Sequence, residues 1–124
     1  MPEKLAWTYS VQALAGPTVT GSGNMLVDSY VKLNVVVPNK KKLDVEIQPG
    51  TGSGLQILLI QPAKPSADLS YTAGSDTIVL DGPHVLIGSG AVSLLAASVG
   101  KLTFDNKADV DAEISILAGR DATP

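Results

Sequence analysis

The sequence is poor in the residues that most often carry chemistry. It has no cysteine, one histidine (His84) and only five aromatic residues among 124. The absence of cysteine excludes a disulfide-stabilised scaffold, a thiolate metal site and a cysteine nucleophile. A single imidazole also leaves little from which to build a transition-metal site. We therefore expect no cofactor.

The sequence also lacks a segment that could cross a membrane as a helix. Its longest weakly polar stretch, residues 88–100, has 13 residues and three serines, whereas a membrane-spanning helix needs about 20 apolar residues. The first ten residues do not combine a basic start with an apolar stretch, which is the pattern of a secretory signal. The sequence therefore predicts a soluble cytoplasmic protein without a membrane partner.

Charge is sparse and slightly acidic. Nine basic and twelve acidic residues give a net charge of −3 and a pI near 4.9. Nucleic-acid binding requires a basic face that replaces phosphate counterions, so no nucleic-acid partner is expected. The one basic run, residues 40–42, follows Pro38 and Asn39, and this context favours a solvated turn over an anion site.

Aliphatic residues are abundant. Apolar residues make up 44% of the chain, which is enough to form a core and excludes a disordered chain. The length allows one ordinary domain, over residues 1–124.

Apolar and polar residues alternate with a period of two, which is typical of strands. Predicted strands cover residues 4–14, 30–37, 43–48, 55–60, 78–80, 85–87, 102–104 and 110–116. The runs 30–37 and 43–48 are interpreted as a hairpin with one wet face. A polar loop is predicted over residues 71–77. The three Gly-Ser-Gly sequences, which begin at Gly21, Gly52 and Gly88, are interpreted as turns.

The predicted fold is all-β: an antiparallel, jelly-roll-like β-sandwich of about eight strands with at most one short helix. Turn signals recur roughly every ten residues, as expected for a sandwich or barrel. Residues 91–99 remain ambiguous between strand and helix, because their small side chains suit a helical turn whereas the neighbouring segments favour strands.

Candidate catalytic groups are few. His84 follows Asp81 by three residues, and this aspartate could orient the imidazole. However, the sequence has no Gly-x-Ser-x-Gly elbow, so no serine can be assigned as a nucleophile. The favoured interpretation of His84 is a turn residue that packs at a strand end, and an enzyme is not expected.

Two further candidate sites are less favoured than their plain structural interpretations. Asp105, Asn106, Asp109 and Asp111 offer oxygen ligands for calcium, but Lys107 interrupts them, and the acidic residues suit an exposed strand face. The glycine-rich segment 50–54 precedes a predicted strand and lacks the phosphate-binding lysine, so its glycines are interpreted as turn residues.

The pattern that remains is an excess of strands with apolar residues on both faces, such as 55–60. A monomeric sandwich would leave part of this surface exposed, unless loops or residues 91–99 cover it. The predicted oligomer interface comprises Val36, Leu58, Ile60, Val79, Leu86, Leu94 and Leu95.

Two functional classes fit this sequence. The first is a non-enzymatic structural subunit that self-associates into a symmetric homo-oligomer or a larger shell-like assembly. The second is a small-ligand or carbohydrate-binding module, with its site in the loops around residues 68–76 or 81–84.

Overall fold

The computed structural model describes residues 3–47, 55–95 and 101–120. The strands are β1 (Glu3–Gln12), β2 (Thr18–Val27), β3 (Ser29–Val37), β4 (Lys42–Glu46), β5 (Leu55–Pro62), β6 (Leu69–Ala73), β7 (Asp76–Val79), β8 (His84–Ile87), β9 (Lys101–Asn106) and β10 (Ala112–Arg120). One short helix, α1 (Ser89–Val92), lies between β8 and β9.

Eight of the strands form two packed antiparallel sheets. The first sheet has the order β3-β10-β5-β8 and the second has the order β4-β9-β6-β7. Consecutive strands alternate between the sheets except for β6 and β7, which pair within the second sheet. This is the arrangement of an eight-stranded jelly roll. The predicted all-β, jelly-roll-like sandwich with one short helix is confirmed. β1 and β2 are additional, and they pair with each other in a separate two-stranded sheet.

The core lies between the two sheets and is built from alternate residues of each strand. Fully buried members include Val37, Leu58, Ile60, Leu69, Tyr71, Leu102, Phe104, Ile114 and Ile116. The ring centroids of Tyr71 and Phe104 are 5.8 Å apart. With so few aromatic residues in the chain, aliphatic side chains fill most of this core.

The predicted hairpin of residues 30–37 and 43–48 is wrong. β3 pairs with β10, whereas β4 pairs with β9 in the opposite sheet. The turn between them crosses from one sheet to the other, with Lys40 at a φ of 60° and the Lys41 N–H donating to the Pro38 carbonyl at 3.1 Å. The crossing lets β3 and β4 bury their apolar residues from opposite sides of one core.

Two strands arise where the sequence pattern does not predict them. β6 occupies part of the predicted polar loop at residues 71–77; its Leu69, Tyr71 and Ala73 face the core while Ser70 and Thr72 face outward. β2 contains the first Gly-Ser-Gly, so the interpretation of that sequence as a turn is wrong. Both strands are specified by their partners, because small and polar residues alone predict strands weakly.

The ambiguous segment begins as a helical turn. α1 follows Gly88, which has a φ of 97° that suits glycine. Residues 96–99 of the ambiguous segment and residues 50–54 of the glycine-rich segment lie outside the described residues.

Candidate functional site

β1 and β2 form a long hairpin, which we call the arm (residues 3–27). Ten cross-strand pairs run without a bulge from Glu3↔Val27 to Gln12↔Thr18. In the turn that joins them, the Gly16 N–H donates to the Ala13 carbonyl at 3.0 Å. The first predicted strand is therefore confirmed as a strand, but it belongs to a hairpin outside the sandwich.

The two faces of the arm differ in chemistry, because successive side chains of a strand point to opposite sides. The apolar face of the arm carries Leu5, Trp7, Tyr9, Val11, Val19, Met25 and Val27, with Gly21 and Gly23 between them. The opposite face carries mainly threonine, serine, asparagine and glutamine. Near the turn, Val11 is 70% exposed and Val19 is 62% exposed. The sandwich of the same chain does not cover this end of the apolar face.

Two aromatic rings lie on glycine backbone in the middle of the arm. The rings of Trp7 and Tyr9 stack with centroids 6.0 Å apart. They lie opposite Gly23 and Gly21, and a Cβ atom at these glycines would come within 2.7 Å of the Trp7 ring and 2.5 Å of the Tyr9 ring. The glycines thus make room for the rings, which shield the glycine backbone.

The base of the arm is attached to the outer face of the first sheet. A Cβ atom at Gly119 would meet Ile57, Leu5 and Val27 at 2.9, 3.0 and 3.2 Å. The Asp28 N–H donates to the Arg120 carbonyl at 2.9 Å at the same place. The apolar face of the arm is therefore buried at its base and exposed toward its turn.

The arm has no charge over most of its length. Residues 5–27 include no aspartate, glutamate, lysine, arginine or histidine in 23 consecutive positions. Water-facing protein surface is normally rich in charge, at roughly a quarter to a third of its residues. β4 of the sandwich follows that rule with Lys42, Asp44 and Glu46 in alternation. The arm does not have the composition of a surface that remains in water.

The residues of the predicted interface separate into three groups. Val36, Val79 and Leu94 are exposed, with Leu94 at 81%. Leu86 and Leu95 are partly buried and pack against the core. Leu58 and Ile60 are 0% exposed in the single chain. These last two lie in the core beneath the second sheet, so in the single chain they offer no surface to another chain.

His84 packs against Tyr71. Its Nδ1 atom lies 2.7 Å from the Tyr71 hydroxyl, and the two rings meet edge to face at 5.5 Å. Burial raises the pKa of Tyr71 to about 12, so its hydroxyl stays protonated at neutral pH. The ring lies at a strand end, as the sequence interpretation has it, but its neighbour is Tyr71 of β6, not Asp81.

The oxygen ligands considered for calcium do not converge. Asn106 is buried and donates to the carbonyls of Val37 and Val110 at 3.1 and 2.8 Å. Asp109 pairs with Lys40 at 3.2 Å, and Asp111 accepts from the Asn39 N–H at 2.9 Å. Among the described residues no group of three or more acidic or histidine side chains is placed to hold a metal ion.

A cleft of about 470 Å³ opens beside the start of β10, at the end opposite to the one that contacts the arm. Its apolar lining includes Val36, Leu69 and Val110, and Lys64 and Glu113 also line it. Its volume lies within the usual range for small-ligand pockets, about 300–1,000 Å³. Of the two loops predicted to bind a ligand, only 68–76 contributes to it, through Leu69.

Compared with known proteins, the chain matches no family model and no curated protein. Within the described residues, no helix is long and apolar enough to cross a membrane.

The arm is the feature that the strand-by-strand pattern misses as a candidate surface. Its first strand alternates like any half-buried strand. In its second strand, glycines occupy two of the positions at which apolar residues would show the alternation. The signal that could have found it is the uncharged run over residues 5–27, which is the longest stretch of the sequence without a charged or histidine residue.

Proposed function

We propose that the protein is a non-enzymatic structural subunit that self-associates into a symmetric homo-oligomer through the apolar face of its arm. One observation carries this proposal. The arm is a hairpin of two ten-residue strands that is uncharged beyond Lys4 and whose apolar face is exposed toward its turn. Symmetric self-association is the commonest way in which soluble proteins cover such a surface.

The apolar residues at the end of the arm are unfavourable in contact with water. Burying apolar surface is worth about 25 cal/mol per Å², and monomers rarely expose contiguous apolar patches larger than a few hundred Å². Val11, Leu14 and Val19 are all exposed at the end of the arm farthest from the sandwich. Covering them against other copies of the chain removes this cost without a rearrangement of the core.

The test is the mass of the protein in solution. Wild-type protein at micromolar concentration is expected to have a light-scattering mass that is a multiple of 12.7 kDa. The double substitution Val11→Ser and Val19→Ser removes a cross-strand apolar pair. It is expected to raise the dissociation constant about tenfold or more, because each valine contributes about 1 kcal/mol.

The matched control changes the next pair on the opposite face, with Ser10→Ala and Thr20→Ala. These two residues are also exposed, and the control is expected to keep the wild-type mass. A wild-type monomer, or a Val11/Val19 variant with the wild-type mass, would contradict the proposal.

A larger shell-like assembly is the extended form of the same proposal. Jelly rolls build viral capsids but also serve as lectin domains, so this support is an analogy of fold alone. Negative-stain electron microscopy of the purified protein distinguishes a discrete ring from an extended shell or tube.

Small-ligand or carbohydrate binding is the second candidate function, and the cleft lined by Val36 and Leu69 favours it. A thermal-shift screen of sugars and small organic acids is expected to raise the melting temperature for a ligand that fits. Substituting Val36→Glu would abolish that shift. No shift across the panel, or a shift that survives Val36→Glu, would contradict a ligand site at the cleft.

A further inference from the structure

Both long edges of the arm are open. In the part of the chain that the structure describes, β1 pairs with β2 and with no strand of the sandwich. Along each ten-residue strand, alternate residues therefore turn their N–H and C=O groups away from the hairpin. An open edge of this kind is a template on which another strand can pair.

These edges carry none of the usual protection against pairing. Proteins block open edges with charge, proline or a bulge. β1 and β2 contain no proline, their register has no bulge, and only Glu3 and Lys4 at the base carry charge. Three of the four outer strands of the sandwich are different: β3 carries Lys32, β4 carries three charged residues, and β7 carries Asp76. The fourth, β8, has no aspartate, glutamate, lysine or arginine, but it is only four residues long, and short edge strands are themselves protected.

The two edges of the arm are complementary to each other. When two arms stand side by side and point the same way, β1 of one copy runs antiparallel to β2 of the next. The ladder of the hairpin can then continue from copy to copy, with every apolar face on the same side of the shared sheet. The chain has a net charge of −3, but within the strands proposed to pair only Glu3 and Lys4 at the base of β1 are charged, and β2 carries no charge to repel them.

The molecule exposes more surface than a compact monomer of its mass. The accessible surface of the chain is 7570 Å², compared with about 6,200 Å² expected for a compact monomer of its mass. The difference is roughly 1,300 Å². The arm, which is exposed on both edges, contributes to this excess.

We propose that the arms of neighbouring copies pair edge to edge, β1 of one copy with β2 of the next, into a shared antiparallel sheet that closes on itself with the apolar faces inward. This inference rests on the proposed self-association and names the surface and strand pairing that produce it. Because the two edges of one arm differ, the interface is heterologous: a different surface of each copy takes part. A heterologous interface that closes on itself produces a ring.

Cysteine cross-linking tests the pairing, since the chain has no cysteine of its own. ¹⁵N-labelled Thr8→Cys protein (β1) is refolded together with unlabelled protein carrying Thr20→Cys, Ser22→Cys or Asn24→Cys (β2). These residues all lie on the polar face, so the apolar face is unchanged. The three β2 positions allow for a shift of register between copies.

After oxidation, mass spectrometry separates labelled–unlabelled dimers from dimers of like chains. The proposal predicts mainly mixed dimers for at least one of the three pairs, well above the one-half expected from random collision. Ser75→Cys, in the exposed turn between β6 and β7, is the control. It should form no more dimer than collision produces.

Three outcomes would overturn the pairing. Mainly Thr8–Thr8 dimers would indicate a two-fold contact of β1 with β1. An oligomer by light scattering without any arm cross-link would leave self-association intact and place the interface elsewhere. A monomer by light scattering would overturn the proposed function as well, and its co-sedimentation with phosphatidylcholine vesicles would identify a lipid surface as what covers the arm.

Discussion

At the scale of single residues, Gly119 leaves the space in which the arm packs against the sandwich. It lies on the outer face of β10, where Leu5 and Val27 of the arm and Ile57 of β5 approach its backbone. Ile57 and Val27 are consequently almost fully buried. A side chain at residue 119 would occupy the space that these three residues fill.

We predict that Gly119→Ala lowers the free energy of unfolding by about 1–3 kcal/mol, the usual cost of overpacking a filled site. The control is Gly90→Ala in α1, where a Cβ atom would meet nothing within 4 Å. That change is expected to stabilise the protein by about 0.5–1 kcal/mol, because alanine favours a helix. Urea denaturation measures both, and equal effects would contradict the assignment.

The burial of Tyr71 makes the stability of the folded state depend on pH. Burial raises its pKa to about 12, above the unfolded value of 10.0, so the folded state holds the proton more tightly. The resulting stabilisation is complete below pH 10 and is lost as the pH rises from 10 toward 12. The Tyr71–His84 hydrogen bond contributes about 1 kcal/mol in addition.

We therefore predict that Tyr71→Phe is less stable than wild type by about 1 kcal/mol at pH 8, and that the difference shrinks or reverses at pH 11. At that pH the unfolded wild-type tyrosine ionises, whereas phenylalanine cannot; the effect is about 1 kcal/mol. Urea denaturation at the two pH values measures it. Tyr30→Phe, at an exposed position, should follow wild type, and a constant Tyr71→Phe difference would refute the account.

At the scale of elements, Asn106 ties the sheet-crossing turns together. From the end of β9 it donates to the carbonyls of Val37 and Val110 and accepts from the Ala108 N–H at 3.0 Å. It is the one buried polar residue identified among the described residues. Its amide supplies the backbone partners that β3 and the 107–111 segment lack where they leave the sheets.

Replacing Asn106 with Leu is expected to lower the free energy of unfolding by about 3 kcal/mol or more, since each unpaired buried polar group costs about 1–3 kcal/mol. Chemical denaturation measures the change. Asn24→Ala, on the exposed polar face of β2, should change the same quantity by less than about 0.5 kcal/mol. A small effect at Asn106 would mean that water can replace its amide.

At the scale of the whole molecule, charge and apolar surface are segregated. The sandwich carries most of the 21 charged residues, while residues 5–27 carry none. The proposed assembly would therefore keep acidic sandwiches apart and bring uncharged arms together. Its strength should depend on apolar contact and backbone pairing, and little on salt.

We predict that the dissociation constant of the oligomer changes less than about threefold between 50 and 500 mM NaCl, because salt screens only charged contacts. Sedimentation velocity across this range measures it. The variant Ser10→Lys with Thr20→Lys places like charges on adjoining arms; it should associate more weakly at low salt and recover at high salt. A steep salt dependence of the wild-type protein would contradict association through the arm.

How much of the fold the sequence predicts depends on how strongly each strand alternates. β5 and β10 follow directly from their apolar patterns, and the all-β sandwich follows from strand number and spacing, whereas the strand order of the jelly roll comes only from the structure. β2 and β6 do not, because glycine, serine and threonine predict strands only when a partner is present. For the interface, Leu58 and Ile60 could not be separated from Val36 and Leu94 by sequence, because period-two patterns do not tell which faces a second sheet covers.

The sequence by itself determined the all-β class, the upper limit of one short helix and the absence of cysteine chemistry, because these depend on composition and local periodicity. Tertiary structure decided that β3 and β4 lie in opposite sheets, that the apolar faces of β5 are buried within the monomer, and that the arm projects from the sandwich with its apolar face exposed toward the turn. The physical reason is that burial is a property of long-range packing. An alternating strand has the same pattern whether its apolar face meets its own core or awaits another chain.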